Sequence, residues 1–422
     1  MIDFSSIFIL ISSILLITIL LWTFYNLPIL LSGLRSKIPT RNISPSVKDG
    51  SNLPCFSIII PAKDEEVVIR QCLNALLNIN YPKDQMEIVV VEGNSQDNTY
   101  NICREFRELH PNQIKIVRQS YSDGKPSALN LGLLHTSAEI IGVFDADSIP
   151  EKDVLLKAAT YFHQPEVVAI QGRTRSLNGW ENMLTKLSNK EEVWFRTLLQ
   201  GRENLGLFIP LTGSCQFIRR NVLEEVGGWD RHALAEDVDL AVKLLEKGYL
   251  VKYAADVCSW QQTPHTLRNL FSQRVRWFRG YMEVAMKYSR LLKKPNWRRL
   301  DAEVLLAGPF IMSLCLASYI LWALSLLILL PATGLILMPA DIAVILTAIT
   351  LTSIGLSLTL STKPFRLRNL RWIPFIYIYW LLQTMIAGWS LLQIILRRPR
   401  VWRKTEKVRY KDFKDVYERK IG

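Results

Sequence analysis

The sequence predicts an α/β domain with a mostly parallel sheet and helices on both faces, flanked by interfacial amphipathic helices and transmembrane α-helices. Between about residues 56 and 260, short apolar runs rich in β-branched residues alternate with helical patterns. Long uncharged blocks lie on either side of this region. A segment at 264–300, rich in Arg, Lys and aromatic residues, fits a helix lying at a membrane surface.

The uncharged blocks account for much of the 49% hydrophobic content. The first block, residues 4–34, is 31 residues long and has no charged side chain. The second, residues 304–362, is 59 residues long with Asp341 as its only charge, and the third, residues 372–396, is 25 residues long without charge. A membrane span needs about 20 such residues. The composition therefore excludes a wholly soluble enzyme, a disordered chain and a secreted disulfide scaffold.

The first block is too long for a signal-peptide core and predicts an uncleaved anchor. The basic residues Arg35, Lys37 and Arg41 follow it, so the positive-inside rule places the next segment in the cytosol. The predicted organisation is, in order, an anchor at 1–35, a linker at 36–54, a catalytic domain at 55–262, amphipathic helices at 263–300, a transmembrane region at 301–396 and a basic tail at 397–422.

The block at 372–396 raises a conflict of topology. The long block before it is predicted to cross twice, with an external turn at Pro331, Gly334 and Pro339. A full further crossing would put the tail outside, although the tail holds eleven Lys or Arg against four Asp or Glu. We therefore expect residues 372–396 to lie at the interface or dip in and out, leaving the tail cytosolic.

Cysteine spacing and charge distribution exclude further classes. The six cysteines are far apart and form no Cys-x-x-Cys pair, which predicts reduced thiols and no zinc or thioredoxin-type site. The net charge of +13 is concentrated in the tail, where it indicates anionic lipid headgroups as the partner and no nucleic acid.

The alternating region predicts where ligands bind. The strands are predicted at 56–61, 87–91, 114–118 and 139–145, and the helices at 65–78, 97–109, 125–135 and 151–162. Ligands of such sheets bind beyond the carboxyl ends of the strands. The chemistry is therefore expected at 61–66, 92–97 and 145–148.

Two acidic clusters are candidates for that chemistry. Asp145-Ala146-Asp147 ends an apolar strand, so the pair either holds a divalent ion with a diphosphate or makes an ordinary strand-to-loop turn. Glu236, Asp237 and Asp239 open a helix, where acids either favour the helix dipole or supply a general base.

Basic and aromatic residues supply further candidates. On a helix, Gln273, Arg276 and Trp277 share a face that suits an anionic sugar nucleotide, although Trp277 could instead anchor the interface while the arginines touch lipid. Lys125 follows a glycine at a helix start and can approach a phosphate. Its surroundings do not match a Walker motif, which disfavours a nucleoside triphosphate hydrolase.

Together these motifs resemble the membrane-bound family-2 glycosyltransferases, which include cellulose, hyaluronan and poly-N-acetylglucosamine synthases. The similarity covers about residues 50–300. It rests on six motifs in the same order, namely 61–65, 92–99, 124–130, Asp145-x-Asp147, Glu236-Asp237 and Gln273-x-x-Arg276-Trp277. Residues 402–407 also resemble a tail motif of some such synthases.

The resemblance implies a GT-A-type (Rossmann-like) domain and a role for each matched residue. Asp237 would be the catalytic base. Asp145 and Asp147 would hold a divalent metal, Mg or Mn, with the diphosphate. Other implied contacts are Pro61, Ala62, Glu65, Glu92, Lys125 and Asp145 with the donor, and Glu236, Gln273, Arg276 and Trp277 with the diphosphate and acceptor. The family commonly has Asp-Asp-Gly-Ser where this chain has Glu92-Gly93-Asn94-Ser95.

The expected function is inverting, metal-dependent sugar transfer at the cell membrane, by a multi-pass protein with a cytosolic catalytic domain. The donor would be a nucleoside-diphosphate sugar, with UDP favoured. The leading hypothesis is processive extension of a β-linked polysaccharide, coupled to export. The alternatives are single transfer to a lipid acceptor and a catalytically silent transporter or receptor that binds a nucleotide sugar.

Overall fold

A computed structural model describes residues 4–36, 53–121, 123–289, 296–328, 367–400 and 405–408. It also describes six helical residues, at 341–342, 344–345 and 348–349. These residues form two compact units. The helical unit comprises the described residues of Met1–Ser36, Lys186–Leu207 and Leu267–Arg403. The sheet unit comprises those of Lys37–Thr185, Phe208–Thr266 and Lys404–Gly422.

The sheet unit is built on eight strands in the order β3-β2-β1-β4-β7-β6-β8-β5. In chain order their bounds are β1 Phe56–Ala62, β2 Met86–Glu92, β3 Ile114–Arg118, β4 Ile140–Val143, β5 Ile149–Pro150, β6 Ala169–Ser176, β7 Gln216–Arg219 and β8 Val251–Gln261. The four strands predicted from the sequence are confirmed, and they are the four that lie side by side at one end of the sheet.

Those four strands are parallel to one another, as predicted. Apart from the half-buried Pro61 of β1 and Ile116 and Val117 of the edge strand β3, their apolar side chains are buried, which accounts for the near-continuous hydrophobic runs. The other half of the sheet is mixed. Strand β7 is antiparallel to both β4 and β6, β6 is parallel to β8, and β5 is antiparallel to β8.

Helices cover both faces of the parallel half. Ile58 and Ile60 of β1 point to the core that contains α2 (Ile69–Leu77), α3 (Thr99–Leu109) and α5 (Val154–Phe162). Ile59 points to the other face, against α4 (Gly124–Leu134). Two further helices are α7 Arg220–Glu225 and α8 Glu236–Glu246.

Three predicted helices begin later than expected, and α3 begins at Thr99 rather than at 97. Helix α2 begins at Ile69 rather than at 65, since residues before it form a turn in which Asp64 has a left-handed φ of 54°. Helix α5 begins at Val154 rather than at 151, because Ile149 and Pro150 first pair with β8. All six cysteines are free, as the sequence predicted.

The helical unit contains long apolar and amphipathic helices. Their bounds are α1 Phe4–Arg35, α6 Met183–Asn204, α9 Leu267–Tyr288, α10 Trp297–Leu306, α11 Gly308–Ile328 and α12 Ile373–Ile395, with a 3₁₀ helix at Leu367–Trp372 before α12. The predicted helical character of residues 264–300 is confirmed for the described part of that segment.

Polar contacts and small residues hold α1 against α6. At Gly201 of α6, an added Cβ would lie 1.9 Å from the carbonyl oxygen of Ile29, so the two backbones touch. The next residue of α6, Arg202, has a fully buried guanidinium that lies 2.5 Å from the carboxylate of Asp301 in α10. The hydroxyl of Tyr25 in α1 donates a hydrogen bond to the same carboxylate. Helix α1 is therefore joined to the rest of the unit by a hydrogen bond to the carboxylate that forms the buried ion pair between α6 and α10.

Two described helical stretches are long and apolar enough to cross a membrane, Ile7–Arg35 and Asn369–Ile395. Helices α10 and α11, bent by 47°, would make a third span if they act as one. Because α12 is a continuous helix of 23 residues, its length allows a crossing. Its interfacial placement stays a prediction. Most of the linker at 36–54 and the turn at 331–339 lie outside the described residues.

Candidate active site

Lys125 lies at the centre of an acidic cluster in the sheet unit. It stands in the first turn of α4, and its Nζ donates to Asp145 Oδ1 at 2.6 Å and to the carbonyl of Gly213 at 2.9 Å. Glu236 Oε1 lies 3.5 Å from the same nitrogen. Burial alone would lower the pKa of Lys125, but the carboxylates of Asp145, Glu236 and Asp237 outweigh it and raise that pKa.

Glu236 and Asp237 open α8, as the acidic cluster predicted. Asp237 accepts a hydrogen bond from the backbone N–H of Val238 at 2.9 Å, which fixes the carboxylate at the helix start. The third acid, Asp239, is fully buried and lies 3.5 Å from Lys243 within the helix. Two of the three acids therefore face the Lys125 cluster, while Asp239 pairs with a lysine of its own helix.

Gly213 lies directly beside Lys125 and Asp237 in this cluster. Its φ is +81°, and an added Cβ would lie 3.0 Å from Asp237 Oδ2 and 3.2 Å from Lys125 Nζ. The fully buried side chain of Gln171 holds the flanking residues, since its amide accepts from Thr212 N at 2.8 Å and donates to Ser214 O at 3.0 Å. Only a residue without a Cβ leaves both charged groups in place.

Asp145 and Asp147 lie beyond the end of β4, which stops at Val143. Their carboxylates have separate partners. Asp145 pairs with Lys125, whereas Asp147 Oδ2 accepts from Lys407 and from the backbone N–H of Gln262. The pair thus lies where the strand passes into a loop, and each of its two carboxylates is paired with a lysine.

Lys407 comes from the C-terminal tail, of which residues 405–408 are described. Its pKa would be lowered by burial, but the nearby Asp147 carboxylate outweighs this and raises it. Gln262, at the end of β8, bonds to the backbone of Val408 next to it. The sequence did not predict Lys407, Gln262 or Gly213 as site residues, and the tail-motif resemblance was the one signal pointing to Lys407.

The loops after β1 and β2 are bonded to each other. The backbone N–H of Asp64 donates to Ser95 Oγ at 3.0 Å, and that of Glu65 donates to Thr99 Oγ1 at 2.7 Å. Pro61 is half-buried and Ala62 is buried at the end of β1, directly before the first loop. The two loops that carry the predicted donor contacts therefore form one surface.

Glu92 differs from the other predicted donor contacts because its side chain is fully buried. Its carboxylate lies 3.0 Å from Arg118 Nε and accepts from the backbone N–H of Ser95 at 2.6 Å. Arg118 in turn covers the ring of Tyr100, 4.5 Å from its centroid. Glu92 therefore orders the loop that follows β2.

Gln273, Arg276 and Trp277 lie on α9 in the helical unit. Gln273 Oε1 and Arg276 Nε are buried and have no hydrogen-bond partner among the described residues. Trp277 is half-buried, and the guanidinium of Arg274 lies over its ring at 4.2 Å. The predicted helical arrangement of these three residues is confirmed.

Comparison with known proteins identifies the family. The family described as "Glycosyltransferase like family 2" matches residues 54–280. The chain belongs to glycosyltransferase family 2. The probable glycosyltransferase YdaM of Bacillus subtilis is 35% identical over 67% of this chain and 69% of its own length.

Two further relatives of this glycosyltransferase have names that state a product. Beta-monoglucosyldiacylglycerol synthase of Trichormus variabilis is 34% identical over 58% of this chain and 52% of its own length. Poly-beta-1,6-N-acetyl-D-glucosamine synthase of Staphylococcus epidermidis is 28% identical over 55% of this chain and 56% of its own length. The chain thus spans about half the length of each.

A solved structure confirms the fold. The mannosyltransferase PcManGT of Pyrobaculum calidifontis, in complex with GDP-Man and Mn2+, aligns with a TM-score of 0.65 over 92% of this chain and 100% of its own. The sequence identity is 20%, so the likeness concerns architecture. The predicted GT-A-type fold is therefore confirmed.

The donor set near β4 fits a divalent ion that is held jointly with a substrate. Asp145 and Asp147 offer hard carboxylate oxygens, and each lysine contact uses one oxygen of its carboxylate. In the described part of the chain, no three Asp, Glu, His or Cys side chains form a complete metal cage. Mg²⁺ and Mn²⁺ are usually bound by one or two carboxylates together with substrate phosphates, which matches this arrangement.

Proposed function

We propose that this glycosyltransferase moves a sugar from a nucleoside-diphosphate sugar, UDP-linked by preference, to a hydroxyl acceptor with inversion. The observation that carries the proposal is the Lys125 cluster, which brings Asp145, Glu236 and Asp237 to one amine at the carboxyl-end side of β4. Four charged groups converge there in a family-2 glycosyltransferase fold.

Positive charge would stabilise the leaving diphosphate. Lys125 and Lys407 are both protonated over the physiological range, because neighbouring carboxylates raise the pKa of each. A divalent ion at Asp145 and Asp147 would offset the charge that builds on the diphosphate. The two lysines, each paired with one of these carboxylates, would add fixed positive charge next to it.

Asp237 is proposed as the general base. Its carboxylate is held at the start of α8 by the backbone N–H of Val238. It lies next to Gly213, which has no Cβ to fill the space beside Asp237 and Lys125. It would accept the proton of the acceptor hydroxyl as that oxygen attacks the anomeric carbon. One base and one displacement invert the anomeric centre, so an α-linked donor yields a β-linkage.

The α9 residues are proposed to bind the acceptor end and the diphosphate. Gln273 and Arg276 have buried polar atoms that a ligand oxygen would satisfy. Trp277 offers an indole ring on which a sugar ring would stack, and the guanidinium of Arg274 lies over that same indole.

Two acceptors follow from the named relatives. A growing β-linked polysaccharide, extended processively, corresponds to the poly-N-acetylglucosamine synthase at 28% identity. A lipid hydroxyl corresponds to the glucosyldiacylglycerol synthase, which is 34% identical over a longer stretch. In both cases the catalytic unit would face the cytosol, where nucleotide sugars occur, and the acceptor would be supplied at the membrane.

The decisive experiment assays the purified full chain against a panel of UDP- and GDP-sugars. Each donor is tested with diacylglycerol in detergent micelles and with no added acceptor, and product size is measured by mass spectrometry. A ladder of increasing mass supports the processive polysaccharide synthase, and a single lipid product supports the transferase to a lipid. Absence of nucleoside diphosphate release with every donor would refute catalysis and leave the silent binding protein.

A further inference from the structure

Three helices of the helical unit meet at one carboxylate. Glu191 of α6 accepts from Arg274 Nη2 of α9 at 2.6 Å, and the same oxygen accepts from the hydroxyl of Tyr379 of α12 at 2.6 Å. The side chains of Glu191 and Arg274 are 14% and 11% exposed, and Tyr379 is buried. Ser188, one turn earlier on α6, also contacts the Tyr379 hydroxyl at 3.3 Å.

The guanidinium in this junction has a second contact. Its Cζ lies 4.2 Å from the centroid of Trp277, one turn further along α9. A guanidinium that binds a carboxylate and also lies over an indole uses two features that distinguish arginine from lysine. Glu191 therefore holds the Arg274 guanidinium in place, and that guanidinium lies over Trp277.

Stability alone does not explain such a junction. A mostly buried ion pair loses much of its Coulombic gain to desolvation, and well-packed apolar residues in its place are often as stable. What the pair supplies is a defined geometry. Here the geometry it defines is the position of the one aromatic ring among the matched α9 residues.

We infer that Glu191 and Tyr379 are positioning residues for the acceptor, acting through Arg274 to hold the indole of Trp277 at a fixed angle. The inference rests on the proposed function, in which Trp277 stacks on the acceptor end. Neither Glu191 nor Tyr379 touches the reacting atoms. Loss of either would leave the donor site and the base unchanged, and would loosen the surface on which the acceptor lies.

The test uses Glu191→Gln and Tyr379→Phe in the full-length protein, since both keep the side-chain volume. Glu192→Gln is the matched control, because Glu192 is the next residue of α6 and pairs at 3.4 Å with Arg196 of the same helix. All variants are labelled with 5-fluorotryptophan, and the Trp277 resonance is assigned by its loss in Trp277→Phe. This readout needs no acceptor.

The expected result is a shift or broadening of the Trp277 ¹⁹F resonance in Glu191→Gln and in Tyr379→Phe, with no change in Glu192→Gln. In the transfer assay, with diacylglycerol micelles or a β-1,6-linked N-acetylglucosamine oligosaccharide as acceptor, KM for the acceptor rises about tenfold in the two variants. KM for the donor stays within about twofold of wild type.

Two results would overturn the inference. One is a Trp277 resonance that is unmoved in both variants. The other is an equal rise of donor and acceptor KM, which would mean a general loss of structure. The proposed function fails separately: if Trp277→Ala leaves the acceptor KM unchanged, Trp277 does not bind the acceptor, whatever the resonance shows.

Discussion

The side-chain amide of Gln262 binds both backbone groups of Val408. Its Nε2 donates to the carbonyl oxygen at 2.7 Å, and its Oε1 accepts from the backbone N–H at 2.9 Å. The two bonds hold the preceding residue, Lys407, against Asp147, whose carboxylate also accepts from the backbone of Gln262. A short piece of the C-terminal tail is thereby built into the candidate active site.

We expect Lys407→Ala to increase the affinity for Mn²⁺ about tenfold, because the ammonium competes with the cation for Asp147. Lys407→Arg keeps the charge and is expected to bind Mn²⁺ as wild type does. Gln262→Ala releases the tail without removing its charge and should act in the same direction as Lys407→Ala. Calorimetric titration with Mn²⁺ measures all three. Unchanged affinity in both Lys407→Ala and Gln262→Ala would contradict competition.

Asp147→Ala is expected to weaken metal-dependent donor binding as well as turnover, since it removes one of the two carboxylates beyond β4. Calorimetry with the donor, with and without Mn²⁺, measures the enhancement due to the metal. Asp153→Ala is the control, because Asp153 pairs with Lys157 at 2.7 Å and is not among the predicted site residues. If the enhancement is the same in Asp147→Ala and wild type, Asp147 is not a metal ligand.

Asp237→Asn is expected to lower turnover about 10²–10⁴-fold and to leave donor binding near normal. The amide keeps the shape of the side chain and its bond from Val238 N, but it cannot take a proton from the acceptor. Steady-state kinetics and donor titration separate the two effects. Retention of a quarter of the wild-type turnover would exclude Asp237 as the base.

Gly213→Ala is expected to abolish most turnover, because the new Cβ would press on Asp237 and Lys125. The left-handed φ of +81° adds a strain of about 1–2 kcal/mol. Gly248→Ala is a matched control with φ +87° and no atom within 4 Å of the added Cβ. Both variants should lose similar thermal stability, while turnover falls in Gly213→Ala alone. Parallel loss of turnover would attribute the effect to strain and not to the site.

Membrane topology is tested by cysteines placed at Ser361 and Asp415 in a cysteine-free background, labelled with a membrane-impermeant reagent on intact cells. Both positions lie outside the described residues. We expect protection of both, since eleven cations in the tail favour the cytosol. Labelling at 415 with protection at 361 would mean that α12 crosses the membrane fully and that the charge rule fails here.

Elements with local signals could be predicted from the amino-acid sequence. Strands β1 to β4 and the helices between them follow from apolar runs and helical periodicity, which short-range geometry imposes. The acids at the start of α8 and the α9 face of Gln273, Arg276 and Trp277 were predictable for the same reason. Motif order then identified the family, although no single motif was specific.

Contacts between residues far apart in the chain could be seen in the folded structure alone. Lys407 is 260 residues from Asp147, and Arg274 is 83 residues from Glu191. Gly213 lies against Lys125 through a loop whose position depends on Gln171, and β7 enters the sheet antiparallel between β4 and β6. Periodicity in the sequence describes one helix or strand at a time. These contacts depend on how the buried surfaces of separate helices, strands and loops fit together, so they cannot be predicted from the spacing of residues along the chain.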